Sequence, residues 1–74
     1  MNTQIEKELI RMASFLCVGA TVDQKEDIQA HVEWWREGML TDYGFVRALS
    51  NITGWIPKRG NLPEGMKHRE EWQE

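Results

Sequence analysis

Few side chains in this sequence could do covalent or metal chemistry, and they are scattered: Cys17, His31 and His68. A catalytic site needs a base or nucleophile held beside an orienting partner in a cleft that excludes water. Cys17 has no cationic neighbour in its run to stabilise a thiolate, and Ala13, Leu16 and Val18 around it predict a small core residue. His31 and His68 lie far apart, and the short-spaced Cys/His pairs of metal sites are missing. The expectation is therefore no enzyme, no metal, no cofactor and no small-molecule substrate. What remains is the chemistry of surfaces. Trp34 and Trp35 are adjacent, and adjacent residues on a helix point about 100° apart, so one small core cannot take both rings. An indole left outside is a frequent centre of a protein-binding surface. Trp35 and Trp55 are expected to be mainly core. Trp34 with its helical neighbour His31, Tyr43 with Arg47, and Trp72 are the candidate partner-binding residues.

Stepping from these residues to the chain that must carry them, 74 residues make at most one domain, and a domain of that size leaves roughly 40% of its unfolded-chain surface exposed. A single cysteine allows no internal disulfide and fits a reduced, cytoplasmic setting. Glu6, Lys7, Glu8 and Arg11 interrupt the basic-then-apolar pattern of a secretion signal, and no apolar run is long enough to span a bilayer, so a soluble protein is expected. Nine basic and twelve acidic residues give a net charge of -3. Residues 1–40 hold four basic against seven acidic. That distribution speaks against a broad phosphate-binding face and against an anionic membrane as partner.

Three helices are predicted, at about 4–18, 22–37 and 42–53, giving an all-α domain over 1–56 and an irregular C-terminal extension over 57–74. In the first, Ile5, Leu9, Met12 and Leu16 recur on one stripe, widened by Ala13 and Cys17. Thr3 with Glu6 reads as its capping box and Gly19 as its left-handed end, while Ile10 and Phe15 lie off the stripe. The second is opened by Thr21 with Gln24, or Asp23 with Glu26, and closed by Gly38; its stripe reads Ile28, Val32, Trp35 and Met39. The third has Thr41 as N-cap, Asp42 in its first turn, and Leu40 with Phe45 placed as a hydrophobic staple. Its buried stripe is Phe45, Val46, Leu49 and Ile52; Gly54 ends it, and Pro57 forbids continuation. Beyond it the period dissolves into turn formers. Glu64 to Glu74 is expected to form at most a short frayed fourth helix anchored by Met66 and Trp72, and the tail charges, of both signs, to be solvated.

The run Gly38-Met39-Leu40-Thr41-Asp42-Tyr43-Gly44-Phe45 resembles the turn of the short C-terminal domains called SHOCT. Their pattern joins two small helices through a Gly-x-(Ile/Leu)-Thr-x-x-Glu-Phe link. Gly44 stands where that pattern has glutamate, and the likeness covers about Ile28 to Leu49. It implies a helical hairpin used for association. In size and in its tryptophan-rich helical make-up the chain also resembles small accessory proteins of bacteriophages and mobile elements, several of which cover a functional surface on a host enzyme, regulator or defence complex. That resemblance implies a stoichiometric inhibitor at work in the host cytoplasm.

The function expected from these readings is a protein–protein interaction module, a phage-type inhibitor or adaptor that occludes a host or other cellular protein, with a homodimer burying left-over apolar surface. A helix-turn-helix DNA binder is the alternative, since Glu37 to Thr41 could be its turn and Arg47 and Asn51 could read base edges. Its charge is unfavourable, because Asp42 would sit at the end approaching phosphates. A simple oligomerisation module is a further alternative.

Overall fold

A computed structural model describes residues 3–67. Within them the chain is all-α, with α1 at Thr3–Val18, α2 at Val22–Arg36 and α3 at Asp42–Thr53. Helix α1 already includes Thr3, the residue expected to cap it. Helix α2 opens with the capping box read from the sequence: the Gln24 amide donates to Thr21 Oγ1 at 3.1 Å, and the Thr21 amide donates to Gln24 Oε1 at 2.9 Å. Helix α3 opens on Thr41, whose hydroxyl oxygen accepts from the Gly44 amide at 3.0 Å.

Two bonds at opposite ends set the course of the α2–α3 hairpin. Gln24 at the start of α2 donates through Nε2 to the Ile52 carbonyl near the end of α3, at 3.1 Å. Trp35 at the end of α2 donates through Nε1 to Asp42 Oδ1 at the start of α3, at 2.8 Å. The two helices therefore run antiparallel, with Trp35 and Phe45 stacked between them, ring centroids 4.5 Å apart and planes 6° from parallel. Such a pair adds about 0.5–1.5 kcal/mol beyond the area it buries. The core comprises Leu9 and Ala13 of α1, Ile28 and Trp35 of α2, Phe45, Val46 and Leu49 of α3, and Leu62 and Met66 from beyond the helices.

Glycine decides two of the three helix ends. Gly38 has φ 86° and Gly54 φ 77°, the left-handed region that a side chain disfavours. At Gly38 the end is a Schellman motif: the Gly38 amide donates to the Trp35 carbonyl at 3.1 Å and the Met39 amide to the Trp34 carbonyl at 2.8 Å. Gly19 differs from expectation, because its φ is not positive. Thr21 must already be extended to cap α2 (φ -71°, ψ 168°), and the chain leaves α1 through a turn in which the Ala20 amide donates to the Cys17 carbonyl at 3.2 Å.

The segment after α3 is not a continuous helix. It makes two 3-10 turns, at Arg59–Asn61 and Glu64–Met66. Met66 is buried as expected, and Leu62 and Pro63, which carry no periodic signal, are buried with it. Gly65 lies against α1 so closely that an added Cβ would come within 2.6 Å of Ile5 Cδ1. The described part of the extension thus shares the core of the helices. The remainder of the suggested fourth helix, with Trp72 and His68, lies outside the described residues.

Candidate functional site

Trp35 is the indole that the core takes. Its stack on Phe45 and its bond to Asp42 leave it no exposed area, and an indole N–H is buried cheaply only when it has such an acceptor. Trp34, about 100° further around the helix, keeps 44% of its surface exposed. Its ring meets the His31 imidazole edge to face, centroids 4.8 Å apart and planes at 69°. His31 is itself held, because Nδ1 lies 2.7 Å from the Asp27 carbonyl oxygen, one turn earlier. A carbonyl can only accept, so Nδ1 carries a hydrogen. The exposed indole thus packs against a ring that is itself hydrogen-bonded to the backbone, an arrangement that lowers the entropy lost when a partner covers it.

Met39 joins this surface. The sequence reading places it on the buried stripe of α2; in the structure it is 68% exposed. The helical period ends at Gly38, so Met39 follows the geometry of the Schellman motif, one backbone hydrogen bond from Trp34. That motif commonly brings these two positions into apolar contact. A flexible thioether beside an oriented indole makes an apolar surface able to fit an irregular partner. The signal that would have found Met39 is Gly38 itself, which cancels the periodicity one residue before it.

Tyr43 and Arg47 belong to a different face. Phe45 points at α2, since it stacks on Trp35, and Tyr43 and Arg47, two residues either side of it, lie about 160° around α3 from that direction. Tyr43 is half-buried against the core, while Arg47 is exposed. The structure brings His31 against Trp34 and leaves Met39, whose amide is bonded to the Trp34 carbonyl, exposed; Tyr43 and Arg47 stand on α3.

Cys17 is half-buried against the core. Among the described residues no group of three or more His, Cys, Asp or Glu side chains is arranged to hold a metal ion, and no helix is long and apolar enough to cross a membrane. A second apolar surface lies on the other helix, α1. Phe15, Leu16 and Trp55 line both lobes of a groove, of about 600 Å³ and 460 Å³, that runs between the end of α1 and the segment after α3.

Comparison with protein-family models, curated proteins and solved structures finds no significant match to this chain.

Proposed function

We propose that this chain is a protein-binding module whose docking surface is the end of α2, built from His31, Trp34 and Met39. The observation that carries this reading is the contrast between two neighbouring indoles, one sealed with its N–H satisfied and the other 44% exposed yet oriented by a ring contact. Tryptophan in a fixed setting is the side chain that most often dominates binding energy, and methionine suits the rim of an adaptable contact. Glu33, Arg36 and Glu37 surround the patch on the exposed side of the helix and supply charge for orienting a partner. The finer reading is an inhibitor or adaptor of the phage type that occludes a cytoplasmic host protein, its activity being binding rather than catalysis. The SHOCT-like hairpin turn enters the same proposal as an association device, since it positions Met39 next to Trp34.

The test is affinity capture from a bacterial lysate with the wild type and Trp34→Ala side by side, followed by titration of the captured protein. Trp34 is exposed and outside the buried core cluster, so the variant should keep its circular dichroism and lose at least about 1–2 kcal/mol of binding. Equal affinity in the two proteins would remove this surface from the function. A salt-sensitive shift of duplex DNA by the wild type would favour the nucleic-acid reading instead.

A further inference from the structure

The groove along the end of α1 is a separate surface from the α2 site, and two of its properties suit a second copy of the chain as occupant. It carries projections and a recess on the same patch: Phe15 and Val18 are 78% and 84% exposed, while Leu16, Gly54 and Trp55 beside them form the floor and walls of the hollow. A two-fold contact requires that combination, because each copy must offer to the other what it receives. Its charged margin has both signs, Glu8 and Glu64 with Arg11 and Lys67. A margin of one sign would repel its own copy; a mixed margin pairs with itself after a half-turn.

A small-molecule pocket fits these observations less well. Such pockets orient their ligand with a few converging polar groups, and among the described residues no polar or charged side chain is buried. An ion pair at the margin among the described residues, Lys67 Nζ to Glu64 Oε1 at 2.9 Å, is an exposed contact between neighbours on one turn.

We propose that the groove formed by Phe15, Leu16, Val18 and Trp55 is the interface of a symmetric homodimer, in which Phe15 of each copy enters the recess of the other. The α2 site lies outside this interface, so the dimer would present two copies of it. Sedimentation equilibrium of the full chain from low micromolar to millimolar protein tests the proposal. The mass should rise from 8.7 kDa to twice that value. Phe15→Asp should raise the dimer dissociation constant at least about 30-fold, as loss of an interface anchor does, with the melting curve of the dilute protein unchanged. Val18→Asp, on the same patch but with a different backbone setting, should act in the same direction and guards against a folding defect in the first variant. Trp34→Ala should leave the dissociation constant unaltered, which separates this interface from the α2 site. A wild type that stays at monomer mass throughout would assign the groove to another occupant and overturn the proposal. So would a dimer that survives Phe15→Asp, or one that Trp34→Ala dissolves.

Discussion

At the α2–α3 hairpin each helix end is closed by a specific device, whereas the C-terminal end of α1 has almost none. Thr21, Thr41, Gly38 and Gly54 cap α2 and α3 at their four ends, and Gln24 and Trp35 bolt one helix to the other at both ends. Helix α1 finishes without a left-handed glycine, without a basic residue in its last turn, and with Phe15 and Val18 in water. Near its other end Gly65 of the irregular segment lies against Ile5, and Leu62 and Met66 of the same segment join the common core. The lesson is that local hydrogen-bond chemistry specifies the hairpin, while α1 depends on apolar contacts from afar. A helix end whose apolar residues find no cover inside the chain is where cover from outside would be most stabilising.

The largest test of that contrast is Trp35→Ala. It removes the stack on Phe45, the partner of Asp42 and the volume at the hairpin centre together, and should cost about 3–5 kcal/mol. Against a total stability on the order of 5 kcal/mol, that leaves roughly 0–2 kcal/mol, so chemical denaturation should show a midpoint close to zero denaturant and a variant partly unfolded in buffer. A folded variant with a normal midpoint would mean that the hairpin seam is not the stabilising centre. Leu62→Ala comes next, at about 2–3 kcal/mol, because a leucine with almost no exposed surface leaves a cavity behind. A loss below about 0.5 kcal/mol would show that α1 does not depend on the extension, and the second half of the comparison would fail.

These two positions also mark what the sequence could and could not convey. Trp35 is legible because it repeats Ile28 at seven residues on a helix whose start and stop are written in Thr21 and Gly38; the three helices were found within a residue or so for the same reason. Leu62 is not legible, because an irregular segment has no period and nothing local distinguishes a buried leucine from an exposed one. The stripe of α2, carried through Gly38, puts Met39 in the core, whereas that glycine ends the helix and leaves Met39 exposed. Which way α3 turns is fixed by the Trp35–Phe45 stack, a contact between elements that no single helix pattern contains. Gly19 shows the same limit: a glycine after a helix permits a left-handed end, but the demands of the next cap decide whether it is used.

Asp42→Ala follows in size. It strips the acceptor from a fully buried indole N–H and removes a first-turn carboxylate from α3, so about 1–3 kcal/mol should be lost, the larger part from the unsatisfied donor. Asp42→Asn keeps an acceptor oxygen within reach and should recover most of that loss. If Asn were as damaging as Ala, the charge at the helix start, and not the bond to Trp35, would be what the hairpin uses.

The sharpest comparison is also the smallest in energy, the pair Gly54→Ala and Gly19→Ala. Neither added methyl meets any atom within 4 Å, so packing cancels and only backbone freedom differs. At Gly54 the backbone sits at φ 77°, where a Cβ is strained, and alanine should destabilise by about 1 kcal/mol. At Gly19 the backbone is on the ordinary side, and alanine should stabilise by about 0.4–1 kcal/mol by restricting the unfolded chain. In a domain of this size 1 kcal/mol moves the melting temperature by about 4–8 °C, so the two variants should melt on opposite sides of the wild type. Melting shifts of the same sign would mean that the α1 end uses its glycine as the α3 end does, and the distinction between a chemically closed hairpin and an open helix end would lose its clearest backbone evidence.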